Sequence, residues 1–395
     1  MNLLPLLASI ATLGGTADLS PLTTQGTNIV DRGGQTITLR GVNLGSWFVP
    51  EMWMTPWKQE PPVGSNDPKI EDSFGLWNRY QSRLGPEAMK RIKTAWRDNW
   101  ITPADFARLK AAGFNHVRIP FSYTLLEEPG GMQRLRQAVN EAASVGLYSV
   151  LDMHGVPGGQ NGDHTSGHKG QNQLWFDVES ITKMEQVWTT LAREFGQDPK
   201  VAMFDLMNEP FGAPNPAMLH LVYDRVIRAV KKVAPKKIIL VDDGYKGFET
   251  TPHPNLAQWT NVVFSLHFYN FDAKSTEDQI QRMKDRQPKV KELLAFRNAP
   301  LYIGEFNLEP HGDPASMAAV VKGFDSMGWS WAIWTYKAVN ANGPMGQWGV
   351  FRNPAKIAQI DPFLDDEATS IAKIRKLRTE QLEPCPGLLS VFAKV

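Results

Sequence analysis

Cysteine is nearly missing from this chain of 395 residues, with Cys385 standing alone. A lone cysteine excludes an intramolecular disulfide and a zinc site built from thiolates. A charge excess is missing too: 42 basic residues face 41 acidic ones, for a formal charge of +1. That balance offers neither the basic surface of a nucleic-acid or polyanionic-membrane binder nor an acidic tail. Past the N-terminus no apolar run approaches 18 residues, so no transmembrane helix is expected. Repeats, Ser/Gly linkers and low-complexity tracts are absent. So are a Gly-x-Ser-x-Gly elbow and a Walker loop, the usual handles of serine esterases and nucleotide enzymes. The entry in excess is tryptophan, at 13 residues.

At 42% apolar and 21% charged, the composition is that of an ordinary globular protein. Leu3 to Leu13 form a short apolar run, and Gly15-Thr16-Ala17 follows it. Small residues there suit a signal-peptidase cut after Ala17, although no Lys or Arg precedes the run. Residues 1–17 are therefore expected to be a signal peptide and the protein secreted or periplasmic. The shortage of cysteine fits a bacterial periplasm or medium better than a disulfide-stapled secreted protein. A monomer is expected.

Short β-rich apolar runs then alternate with helical patterns. Strands are expected at Ile37–Leu44, Asn115–Phe121, Leu147–His154, Val201–Glu209, Lys237–Asp242, Val262–Tyr269, Leu301–Phe306 and Trp329–Thr335. Between them Ile181, Met184, Val187, Trp188, Leu191 and Phe195 keep helical spacing, as do Leu219, Val222, Val226, Val230 and Val233. Thr102-Pro103 is expected to open one helix, and Thr276 with Gln279 to form a capping box on another. Eight strands separated by helices indicate an α/β fold, a closed (β/α)8 TIM barrel. The chain reads as a single domain with a long first βα loop. That loop, roughly 45–100, holds Trp47, Trp53, Trp57, Trp77, Trp96 and Trp100. It leaves the carboxyl end of its strand and so stands over the active-site face.

Barrel enzymes carry their chemistry at the carboxyl ends of the strands. The polar residues found there are Arg118, His154, Asn208, Glu209, His267, Tyr269, Glu305 and, on the last strand, the aromatic Trp334. Two carboxylates among hydrogen-bonding partners and an aromatic platform suit cleavage of a glycosidic bond. One must stay protonated to donate to the leaving oxygen. The other must be ionised to attack the anomeric carbon.

These motifs, taken in order, resemble glycoside hydrolase family 5: His116-Val-Arg118-Ile-Pro, Asp152-Met-His154-Gly, Asn208-Glu209-Pro210, His267-Phe-Tyr269, Gly304-Glu305-Phe306 and Ala332-Ile-Trp334. The resemblance runs through most of the chain after residue 36. It implies that residues 18–395 form one catalytic domain, with Glu209 as acid/base and Glu305 as nucleophile. It further implies that Asn208 bonds the sugar 2-hydroxyl, that Arg118 and Tyr269 hold Glu305, and that His267 sits beside Glu209. Trp334 would floor the subsite of the attacked sugar, with His154 among the supporting residues. No cofactor and no metal are implied.

The N-terminal half is similar to the fungal-type exo-β-1,3-glucanases of that family. Arg40-Gly-Val-Asn-Leu-Gly-Ser-Trp47, Pro50-Glu51-Met-Trp53 and His154-Gly-Val-Pro-Gly-Gly-Gln-Asn161-Gly carry this. The matching Glu51 would bind a hydroxyl at the non-reducing end. The pattern then departs, because Asp163-His164-Thr165-Ser166-Gly167 stands where the group has Phe-Asp-Asn-Ser-Gly. Ser265 also replaces an acidic residue ahead of His267. The mechanism is untouched, but linkage and exo action stay open.

The expected function is a retaining β-glycosidase on β-glucan, with exo-β-1,3 action first. Endo-β-1,6 or β-1,4 action, a β-glucosidase on glucosyl lipids or diglycosides, and a non-catalytic carbohydrate-binding barrel are the alternatives. The partner is a β-linked oligo- or polysaccharide, without nucleic acid or membrane. His154, His164 and His168 read as hydrogen-bonding or surface residues, because Gly162, Gly167 and Gly170 place them in a loop. Trp188 and Trp259 read as helix packing. Trp53, Trp175 and Trp348 fall in loops of the carboxyl face, where sugar contact and packing are equally open.

Overall fold

The computed structural model describes residues 19–244, 249–339, 348–353 and 357–393. The expected leader lies outside them. Eight parallel strands close into one barrel. They are β1 (Arg40–Asn43), β2 (His116–Ser122), β3 (Tyr148–Gly155), β4 (Val201–Asp205), β5 (Ile238–Asp242), β6 (Val262–Phe268), β7 (Leu301–Phe306) and β8 (Ser330–Ile333). Each expected strand is present. The fourth is shorter than expected, because it stops at Asp205 and residues 206–209 leave the ladder.

The strands are apolar on both faces because both faces are buried. Val150, Met203, Leu240 and Val263 point into the barrel, where Leu22 and Ile29 of an N-terminal hairpin (Thr23–Gln25 with Asn28–Val30) join the same cluster. Alternate residues such as Leu151, Met153 and Phe204 point outward to the helices. Barrel closure needs tight passage at Gly41, opposite His116 on β2. A Cβ at Gly41 would stand 2.3 Å from the His116 carbonyl oxygen.

Helices Val178–Phe195 and Pro216–Val233 bury the apolar faces read from their spacing, and Trp188 packs there with its indole N–H on the Leu206 carbonyl. Trp259 is also buried and bonds Asp224 on the second of these helices. Helix Pro103–Ala111 opens at Thr102, whose N–H and hydroxyl both donate to Asp105. The capping box expected at Thr276 is not formed. Ser275 caps that helix instead, accepting from Asp278 N–H. Gln279 is buried and gives its amide to the Leu308 carbonyl. No helix among the described residues is long and apolar enough to cross a membrane.

The long first excursion differs most from expectation. It holds two helices, Ser73–Leu84 and Pro86–Trp100, against which the later helix Glu367–Ile374 packs. Five of its six tryptophans are buried, and only Trp53 reaches the cavity described below. The buried rings pack on each other, with Trp96 stacked on Trp100 at 4.6 Å. Three of their N–H groups tie the chain leaving β1 to these helices: Trp100 donates to Gly45, Trp96 to Ser46, and Trp47 to the Arg97 carbonyl in return. The tryptophan excess mainly serves packing, because an indole fills volume and satisfies a buried carbonyl at once.

Candidate active site

At the carboxyl ends of the strands lies a cavity of about 470 Å³. Glu51, His154, Glu209, Tyr269, Glu305 and Trp334 line it, with Arg118, Asn208 and His267 directly beneath or beside them. All nine residues expected at a site are therefore brought together.

Arg118 is fully buried at the centre. Its guanidinium donates to Glu305 at 2.9 Å, Asp205 at 2.9 Å, Asn43 at 3.0 Å and Asn208 at 2.8 Å, and lies 3.2 Å from Asp152. Burial works against its charge, but Asp152, Asp205 and Glu305 outweigh that and raise its pKa well above the usual range. Glu305 spans two donors, with Oε1 on Arg118 and Oε2 accepting the Tyr269 hydroxyl at 2.8 Å. Donors on both oxygens hold the carboxyl group in one orientation. Burial among carboxylates pushes the Tyr269 hydroxyl well above its usual range, so it stays a donor.

Glu209 has a different environment. Its Oε1 lies 2.9 Å from His267 Nδ1, and burial raises its pKa against the opposing pull of His154 and Arg118. Burial also lowers the pKa of His267, so the imidazole is held neutral. Glu209 adopts φ +45°, in the left-handed region, where a side-chain-bearing residue costs about 1–2 kcal/mol. Ligand atoms of Glu209, His267 and Glu305 lie within 4.8 Å of one another.

Under the floor runs a hydrogen-bonded chain. His154 Nδ1 bonds Asp152 at 2.6 Å, and its Nε2 faces the Asn208 amide nitrogen at 3.3 Å. Burial pushes Asp152 up to about 7 and His154 down to about 4, which leaves a neutral ring that donates at Nδ1 and accepts at Nε2. The Asn208 amide is thereby oriented, oxygen toward Arg118 and nitrogen toward His154. The His154 ring also stacks on Trp334 at 5.4 Å. The far wall is aromatic: Phe271 stacks on Tyr269, and Trp348 sits against Trp53, Tyr269 and Phe271.

Glu51 is buried with its Oε2 accepting from the Trp53 indole at 2.7 Å. Its Oε1 has no hydrogen-bond partner, and burial raises its pKa well above the carboxylate range. A buried acceptor left open in a cavity suits a ligand hydroxyl. The departing segment 163–165 also lines the cavity, with His164 held by Asp163 at 2.7 Å and 3.8 Å from Glu51. His168 instead stacks on Phe74 at 3.8 Å, so the two histidines have separate partners. Of the tryptophans left open, Trp53 and Trp348 line the cavity. Trp175 is buried and ties together Gln160 and Asn172.

Sequence reasoning missed Asn43, Asp205 and the part played by Asp152. Each is a polar residue inside an apolar strand. A carboxylate amid Val-Ala-Met-Phe demands a partner, and that was the available signal.

The model of the family Cellulase (glycosyl hydrolase family 5) matches residues 80–340. A protein of Aspergillus niger named "Probable glucan 1,3-beta-glucosidase A" is 33% identical over 240 residues, covering 58% of this chain and 55% of that relative. The match thus spans about half of that relative's length. A "Beta-xylosidase" of Phanerodontia chrysosporium is 27% identical over 354 residues, covering 82% of this chain and 72% of the relative. Among solved structures, a rutinosidase from Aspergillus niger superposes with a TM-score of 0.64 at 20% identity, covering 78% of this chain and 92% of that one. An endogalactoceramidase superposes at 0.60 with 20% identity, covering 95% and 85%. At such identity the structures speak for the barrel alone. The family match extends over more than half of the chain and contains Arg118, Asn208, Glu209, His267, Tyr269, Glu305 and Trp334, and on that match the chain belongs to glycosyl hydrolase family 5.

Proposed function

We propose that this chain is a retaining β-glycosidase that removes glucose from the non-reducing end of a β-1,3-glucan. The observation that carries the reading is the Glu209–Glu305 pair, one carboxyl oxygen of each lying within 4.8 Å of the other. Retaining enzymes hold their carboxyl groups about 5–5.5 Å apart, whereas inverting ones need about 6.5–9.5 Å to admit a water. Glu305, held by Arg118 and Tyr269, attacks the anomeric carbon as Glu209 gives its proton to the leaving oxygen. A covalent glycosyl-enzyme results. Glu209, now ionised, takes a proton from water as that water attacks the same carbon, releasing a β product and free Glu305.

Asn208 offers its amide to the 2-hydroxyl, and Trp334 packs against the apolar face of the sugar. The open Oε1 of Glu51 takes a hydroxyl of the terminal residue. A relative named as a glucan 1,3-β-glucosidase supports the linkage. The apolar leader supports action outside the cell, with residues 18–395 as the catalytic domain.

The test is hydrolysis of laminarin, pustulan, lichenan and cellulose, with products resolved by length and the first anomer read by proton NMR. Glucose from laminarin, first seen as the β anomer, is expected. Oligosaccharide ladders would replace exo with endo action, and a first α anomer would overturn the mechanism. Glu305→Gly should abolish turnover and recover it with azide as a glycosyl azide. Glucan binding without any release of sugar by the wild type would leave a carbohydrate-binding barrel.

A further inference from the structure

The carboxylate of Asp242, at the end of β5, has no part in the steps above, yet it stands directly behind Glu209. Its Oδ2 accepts the Glu209 backbone N–H at 3.1 Å and faces His267 Nε2 at 3.8 Å. The other nitrogen of that ring, Nδ1, lies 2.9 Å from Glu209 Oε1. One carboxyl group therefore holds the main chain of Glu209 and lies near the imidazole that meets its side chain.

Such a hold is needed because of the φ of +45° at Glu209, which residues with a Cβ rarely adopt. Backbone of this kind persists where its surroundings determine it several times over. The Glu209 carbonyl accepts from Asn161 at 3.1 Å and from Phe211 N–H at 2.8 Å, and the N–H has Asp242. Asp242 is itself anchored. The Tyr223 hydroxyl, from helix Pro216–Val233, donates to the Asp242 carbonyl at 2.8 Å and accepts its N–H at 3.1 Å.

Ser265, paired in register with Asp242, has a buried hydroxyl without a hydrogen-bond partner, as has His267 Nε2. Gly304 leaves room between them, since a Cβ there would come within 2.7 Å of the serine oxygen and 3.0 Å of Nε2. The acidic group 3.8 Å from Nε2 comes from the neighbouring strand.

We infer that Asp242 is a positioning residue for acid catalysis, fixing the left-handed turn at Glu209 so that the Glu209 carboxyl meets the leaving oxygen. The inference rests on the glycosidase reading above. Burial pushes the Asp242 carboxyl well above its usual range, so asparagine mimics its neutral form and can still accept the Glu209 N–H.

The experiment compares kcat/KM for laminaribiose, whose leaving group needs a proton, and for 2,4-dinitrophenyl β-glucoside, whose leaving group does not. Asp242→Ala should lose on the order of 100-fold on the first and less than about 10-fold on the second, since general acids contribute about 10²–10⁴-fold. Asp242→Asn should recover most of the loss on laminaribiose. Equal losses on both substrates, no loss on either, or an asparagine variant no better than alanine would overturn the inference. Should Asp242→Ala not fold, Asp242→Ser, polar but too short to reach the Glu209 N–H, carries the same comparison. Glu305→Gly serves as the control for the reading beneath. If it stays active without azide, the assigned mechanism falls whatever Asp242 does.

Discussion

One guanidinium organises the floor of this site. Arg118 is shared among Glu305, Asp205, Asp152, Asn43 and Asn208, so the donors of its fork are committed inside the barrel. Glu305 gains a cation and a phenol, whereas Glu209 has a neutral imidazole. In the proposed mechanism that contrast sets the acid apart from the nucleophile without any difference in residue type. Glu209→Gln keeps the shape of the acid and removes its proton. It should cut kcat/KM for unactivated glucosides by about 10²–10⁴-fold and spare dinitrophenyl glucosides to within about tenfold. Equal losses in steady-state assays on both would contradict acid catalysis by Glu209. The two glutamates were legible because they end strand patterns and stand in ordered motifs. Asp205 and Asn43 were not, because a strand pattern shows that a polar residue is buried but not which distant group satisfies it.

At the scale of elements, the first excursion is a helical buttress. Leu76, Trp77 and Tyr80 on one helix and Ile92, Trp96 and Trp100 on the next bury against the barrel and each other. Those positions keep helical spacing, so the helices could have been read from the sequence. The destination of the tryptophans could not, since a ring on a helix face serves a core or a ligand equally well. Trp96→Ala should lower stability by about 3–5 kcal/mol in urea unfolding, through the cavity it leaves and the Ser46 carbonyl it uncaps. A loss below about 1 kcal/mol would show that these rings do not buttress the loop. Trp53 and Trp348, which face the cavity, would instead act on KM.

For the whole molecule, barrel closure places ionisable groups where water cannot follow. His116 is buried, with Nε2 2.9 Å from the Tyr302 hydroxyl, and burial pushes its pKa from 6.5 down to about 3. Between those values the unfolded chain takes up a proton that the folded barrel refuses. The stability from the neutral ring is therefore complete above the unfolded pKa and is lost as pH falls through that window. His116→Gln lacks this titration, while His154 and His267 move alike in both proteins. The Tm advantage of wild type over the variant should shrink as pH falls from about 7 to about 4. A gap that stays constant across calorimetric scans would contradict this.

The sequence by itself determined the barrel and its reactive face. Eight apolar runs at βα intervals admit few closed solutions, and parallel strands carry all their carboxyl ends to one side. Ordered motifs at the strand ends then pointed to Glu209, Glu305 and Trp334 as candidates. Only the tertiary structure decided that one arginine serves Glu305 across 187 positions of chain, that the tryptophans mostly pack, and that Asp242 backs Glu209. The reason is physical. Local chemistry sets what a residue can offer, whereas the partner it meets depends on closing the barrel around it.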